Sequence, residues 1–331
     1  MAKYTAIGGQ ALIEGILMRS PEKTALAVRK PDREIEIVPF NAKSLREKHK
    51  ILGIPIIRGI IGFAESLILG YKAMMISAEK SGYTDIEDEK TEKTPEEKAA
   101  EEKKTGALIN TVMIIGSVLG VALAVVLFML IPRLAVKGLE ALFATEFSKV
   151  ARSSIEQFIK IAVLVSYMWG VSLMPDIKRV FMYHGAEHKT IFCYEKGLEL
   201  TVENVRGQKR FHPRCGTSFL ILMVLVSLIV SILVQIIFPG VYSVVWLWVV
   251  AKILMVPIIC GLGFEVLRVC GKYDNLFTKI VSAPGLWLQR ITTKEPADEM
   301  IEIAIAALRA AEPEKPDVDR SVDERTDGID E

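Results

Sequence analysis

Three of the chain's four histidines, His184, His188 and His212, lie within residues 183–219, together with two of its four cysteines, Cys193 and Cys215. Pro175-Asp176 ahead of an apolar-periodic run marks a helix start, and Gly197 a stop. His184 and His188 then stand at i and i+4 on one helix, about 40° apart around it and ~6 Å along its axis. Two imidazoles so placed converge on one metal ion. Glu187 flanks them, and His-x-x-Glu-His is the inverted form of the zinc-protease motif. In that logic the histidines hold a divalent metal, most simply Zn²⁺, and Glu187 is the catalytic residue that takes a proton from metal-bound water.

A third ligand is required. His212 and Cys215 are both candidates, because the loop can fold back from the next apolar segment, and Cys215 also precedes a helix start that favours a thiolate. Cys193 falls about 180° around the helix from His184 and is excluded. Glu195 lies on the right face but ~10 Å beyond His188, as an outer partner only. Two other readings compete. The same groups serve as interfacial polar residues, or Arg210, Arg214 and the free N–H groups of residues 216–218 cradle an anion such as a lipid phosphate.

The elements that must position these groups follow from composition. The chain has 331 residues, 51% hydrophobic and 24% charged, with a mean hydropathy of +0.33. Apolar residues in spans and charges in loops reconcile those figures. A net charge of +1 leaves no bulk basic character for nucleic acid. Four scattered cysteines form no disulfide framework, and the first residues show no cleavable leader.

Residues 1–50 read as a cytoplasmic cap with a β-hairpin, its strands at 24–29 and 34–40. Residues 51–78 carry Arg58, Glu65 and Lys72 at seven-residue spacing on one stripe, as in an amphipathic or buried helix and not a lipid-facing span. Residues 79–106 form a charged linker. Four spans follow, at 107–131, 157–174, 216–238 and 241–263, each long enough for ~30 Å of hydrocarbon. Lys252 stands near the middle of the fourth and needs a partner. Glu265, at its end, is a further site candidate, with Arg268 as the structural alternative partner. Residues 264–311 hold an interfacial helix (276–292) and a C-terminal helix (296–311). An acidic, disordered tail closes the chain. The loop 175–215 holds eight Lys/Arg against four in 132–156, so it faces the cytoplasm with both termini. The expected fold class is mainly α: a polytopic membrane protein with about four transmembrane helices and a small β-containing cap.

Four motifs make the chain familiar. Residues 7–21 (Ile-Gly-Gly-Gln-Ala-Leu-Ile-Glu-Gly-Ile-Leu-Met-Arg-Ser-Pro), 183–191, 211–219 and 282–292 (Ser-Ala-Pro-Gly-Leu-Trp-Leu-Gln-Arg-Ile-Thr) together resemble the YqhQ-like family of bacterial membrane proteins. The resemblance implies a multi-span protein of unknown function in the bacterial inner membrane, sometimes labelled a metal-dependent enzyme. It also marks Gly8, Gly9, Gln10, Glu14 and Arg19 as motif positions, which raises Gln10, Glu14 and Arg19 to supporting residues that dock the N-terminal cap against the metal loop. Arg214 and Glu265 are supporting candidates from the reading of the residues themselves.

The leading expectation is a cytoplasm-facing metal-dependent hydrolase acting on a peptide or lipid-linked bond. The alternative is a non-enzymatic scaffold, transporter component or anionic-lipid-binding protein, for which the buried charges speak. Membrane lipids are the expected partners, and a homo-oligomer stays open. A thiol-redox role ranks last, since no Cys-x-x-Cys is present.

Overall fold

A computed structural model of the chain describes residues 7–40, 45, 49–83, 115–213, 215–273 and 275–312. Most of the charged linker, the first residues of the span placed at 107–131, Arg214 and the acidic tail lie outside these.

The N-terminal cap is a four-stranded antiparallel meander, not a single hairpin: β1 (Gly8–Leu12), β2 (Gly15–Arg19), β3 (Thr24–Arg29) and β4 (Ile35–Phe40), in that order. The strand pair missed by sequence reading is closed by Ile13 and Glu14, with Glu14 in the left-handed region at φ +50°. Its glycines had hidden it, because β propensity is low there. The sheet is buried on both faces. Leu12, Leu17, Leu26 and Val28 pack with Ala73 of α1 (Ile57–Lys80) on one side. Ile16, Met18, Ala25 and Ala27 pack on the other side against α9 (Asp298–Ala311), whose Met300, Ile301, Ile303 and Leu308 are fully buried. Each such side chain contributes about 1.5–3 kcal/mol.

The remaining helices are α2 (Ile115–Leu142), α3 (Lys149–Val171), α4 (Pro175–Glu195), α5 (Val202–Arg206), α6 (Gly216–Ile237), α7 (Val245–Lys272) and α8 (Leu276–Thr292). Helix α2 runs well past residue 131, where a loop was expected. Pro132 cannot donate to the preceding turn, and a π-helical segment at Val126–Leu130 absorbs the misfit so that the helix continues.

Among the described residues, four helices are long and apolar enough to cross a membrane: α1, α2, and the segments Phe219–Ile237 of α6 and Val245–Cys270 of α7. Helices α3 and α4 pass the same test only as a pair, bent by 102° at Ser172–Met174. Of the charged stripe in α1, Arg58 pairs with Glu265 of α7; Lys80, about two turns beyond Lys72, pairs with Glu36 of β4 at 2.6 Å. Glu265 therefore has Arg58 as its ion-pair partner, not Arg268, and it does not belong to the histidine cluster.

Candidate metal centre

Helix α4 begins at Pro175, whose missing N–H costs nothing in a first turn, and Asp176 adds a favourable charge there. It stops before Gly197, which takes φ +68°. Both boundaries follow the sequence expectation. The helix lies against β1 and α9 in the cap, and its middle turns are buried from Gly185 to Ile191.

His184 and His188 come together on this buried face, with ring centroids 4.4 Å apart. His184 donates from Nδ1 to the Thr292 carbonyl at 2.8 Å, leaving the Nε2 lone pair facing Cys215 Sγ at 3.1 Å. His188 likewise donates from Nδ1 to the Arg210 carbonyl. Anchoring of one ring nitrogen to a backbone carbonyl, with the other left free, is how metal-binding histidines are fixed in tautomer and orientation. A ligand atom from each of His184, His188 and Cys215 lies within 4.8 Å of the other two. Cys215 is also the N-cap of α6, its Sγ accepting from Thr217 N–H at 3.4 Å.

Of the two third-ligand candidates, the fold brings Cys215 into this cluster. His212 stands behind His188, its ring 5.7 Å away, packed on Phe192 and with Nε2 3.5 Å from Glu195 Oε2. Glu195 thus has the outer role expected of it, but toward His212. Cys193 faces the α9 core and not the cluster, as its position around the helix requires.

Burial, opposed by His184 and the Gly9 N–H and helped by Cys215, pushes the Glu187 carboxyl up to about 7. Burial, then the neighbouring His184 and His212, holds His188 far below the usual imidazole range, and burial alone lowers His212 to about 4. At neutral pH these two rings are neutral, the form that binds a metal. Gly9 is required: a Cβ there would fall 2.7 Å from the Leu17 carbonyl and 3.0 Å from Glu187 Cδ. Backbone of β1, Glu187, the three histidines and Cys215 line a cavity of about 340 Å³.

The supporting residues divide. Gln10 lines the cavity and its amide covers Gly70 of α1. Glu14 does not reach the cluster. It clamps the β1–β2 turn to α4, through Arg179 and through the Tyr183 hydroxyl, which donates at 3.0 Å. Arg19 sits at the end of β2 opposite Gly8 and Thr24, and it does not line the cavity. Arg210 pairs with Glu295 at 3.3 Å, which weakens the anion-cradle reading.

Sequence reasoning missed Gln289 and Lys189. The Gln289 amide holds the backbone of His212 from both sides, accepting from its N–H and donating to its carbonyl, each at 2.8 Å. Lys189 donates to the Arg206 carbonyl at 2.9 Å and pairs with Glu295, tying both carbonyl-bearing segments to α4. The signal for Gln289 was its place in the 282–292 motif. Replacing it by Leu removes the Gln289 acceptor from the buried His212 N–H and leaves the His212 carbonyl with the longer bond from the Cys215 N–H at 3.3 Å. Gln289→Leu is expected to lose about 2–4 kcal/mol, measured by denaturant unfolding in detergent, with the 211–215 segment becoming proteolytically accessible. Unchanged stability would mean that this amide does not hold the loop.

Fold and site together define a mainly helical protein with four helices long enough to cross a membrane and a His/His/Cys cluster under a β-cap. The chain belongs to the family described as "Protein of unknown function (DUF1385)", which matches residues 54–314. It is 35% identical over 304 residues to "Uncharacterized protein YqhQ" of Bacillus subtilis (strain 168), covering 92% of this chain and 91% of that one. The family expected from the four motifs is thus the one to which the chain belongs. No solved structure matches it.

Proposed function

We propose that this protein is a membrane-embedded, metal-dependent hydrolase whose site faces the cytoplasm, with a peptide or lipid-linked bond as substrate. The observation that carries the reading is the convergence of His184 Nε2, His188 and Cys215 Sγ, with both Nδ1 atoms tied to backbone carbonyls. Two nitrogens and a sulfur suit Zn²⁺ and leave a fourth position open, as catalytic zinc sites do. The ion, when bound, supplies Lewis-acid polarisation of a substrate oxygen.

The protein's own groups do the rest. Glu187 reaches the cavity beside the ligands with a carboxyl near 7, which suits a proton acceptor at neutral pH. The Gly9 N–H bonds and orients that carboxylate. Val180, Phe181 and Ile191 give the cavity an apolar wall beside these groups.

In this reading α2, α3, α6 and α7 are the spans. Helix α1 lies along the cytoplasmic face, since one end is held by Glu265 near the end of α7 and the other by the cap. Its exposed Leu67, Ile68 and Tyr71 then rest on lipid.

The test is elemental analysis of full-length protein purified in detergent without chelator. About one equivalent of zinc is expected, removable by chelator and restored by addition of zinc. No metal as purified and none taken up on addition would overturn the proposal.

A further inference from the structure

A second polar cluster lies deep in the helical bundle, far from the first. Four helices contribute to it: Arg133 from α2, Glu156 and Lys160 from α3, Ser231 from α6 and Lys252 from α7, all buried. Each stands roughly 9–16 Å from the end of its helix, counted at 1.5 Å per residue. Along α6, Ser231 is roughly 24 Å beyond Cys215, so the two clusters lie toward opposite ends of the bundle.

The charges are unequal. Among these three groups, the ammoniums of Lys160 and Lys252 share one carboxylate, Glu156, at 3.5 and 3.8 Å. Those separations exceed hydrogen-bonding contact, so the carboxylate saturates neither cation. Lys252 donates to Ser231 Oγ and lies over the Trp248 ring, which Arg133 also covers at 4.7 Å. Next to Glu156, Gln157 accepts from Ser227 at 2.9 Å, while its buried Nε2 has no hydrogen-bond partner among the described residues. Two ammoniums, the Glu156 carboxylate, whose buried oxygens make no hydrogen bond among the described residues, and an idle amide donor therefore meet where the surroundings are apolar, with the cations in excess. A buried excess of positive charge calls for an added acceptor of negative charge.

We propose that Lys160, Lys252 and Gln157 form a binding site inside the bundle for an anionic group of the phosphate class. Several acceptor oxygens on one charged centre match several convergent donors. Glu156 repels the ligand and limits its affinity. The inference rests on the membrane-spanning reading of α2, α3, α6 and α7, but not on the metal site.

The experiment uses full-length protein in detergent. Its thermal midpoint is followed on titration with phosphatidylglycerol, phosphatidylcholine or inorganic phosphate, with zinc content read on the same samples. Phosphatidylglycerol or phosphate is expected to raise the midpoint and phosphatidylcholine is not. A shift from the lipid alone identifies a headgroup, and an equal shift from phosphate alone a soluble anion. Lys252→Met should abolish the shift and leave zinc unchanged. Glu156→Gln should bind the same anion about tenfold more tightly, because a repelling charge is gone. That variant decides the matter even if Lys252→Met fails to fold, since a purely structural ion pair would weaken and not tighten binding. No shift with either anionic probe, or weaker binding in Glu156→Gln, would overturn the proposal.

Discussion

His184→Ala protein, purified without chelator, is expected to carry less than about a tenth of an equivalent of zinc, against about one equivalent expected for the unaltered protein. The imidazole it removes supplies the Nε2 nearest Cys215 Sγ, and the alanine leaves His188 and Cys215 as a two-ligand remnant. Cys215→Ser should behave alike, because a neutral hydroxyl is a poor ligand for zinc. His212→Ala provides the contrast. That ring touches His188 from behind, so its loss should lower zinc affinity about 10–100-fold without abolishing binding. Glu187→Gln should keep the metal in full, because the carboxylate is hydrogen-bonded by Gly9 and in the proposed function acts on a proton, not on the ion. Competition with a chromogenic chelator ranks all four. Zinc lost from Glu187→Gln, or retained in His184→Ala, would assign the ligands differently.

Gly185→Ala should cost about 2–3 kcal/mol of stability, although helix propensity alone predicts a gain of about 1 kcal/mol. The sign reverses because the added Cβ would lie 2.0 Å from the Lys294 carbonyl oxygen. That strand of chain cannot simply swing away: Lys294 N–H donates to the Phe181 carbonyl at 2.8 Å, and Thr292 supplies the acceptor for His184 Nδ1. Displacing it loosens the tautomer lock as well, so zinc affinity should fall together with the thermal midpoint. A raised midpoint would show that residues 292–296 do not pack on this face of α4.

Gly185 shows where sequence reading stops. Inside His-x-x-Glu-His it registers as a weak point in a helix, a local cost with no local cause. Its cause is a segment more than a hundred residues away. Local signals did carry much of the rest. The Pro175 start, the Gly197 stop and the i, i+4 spacing of His184 and His188 are properties of a single helix, and the structure repeats them. The apolar stretch at 216–238 became α6 almost unchanged, because its length and composition allow little else.

Choices between distant residues lay beyond it. Whether His212 or Cys215 completes the cluster depends on how residues 206–215 return over α4, which Lys189, Glu295 and Gln289 decide together. Glu265 has a plausible neighbour one turn away in Arg268, yet it pairs with Arg58, because α1 packs on α7 through Gly59 and Gly261. Glu14, expected to help dock the cap against the metal loop, does so as a clamp, since a left-handed turn aims it at Arg179 of α4; which partner it takes is what the sequence left unstated. By itself the sequence determined α4, the apolar stretch of α6 and the histidine pair, since these depend on neighbours a few residues apart, whereas the continuation of α2 past residue 131 did not follow from it. Tertiary structure alone decided which side chains meet, because packing and charge pairing select among partners that the chain order leaves equally available.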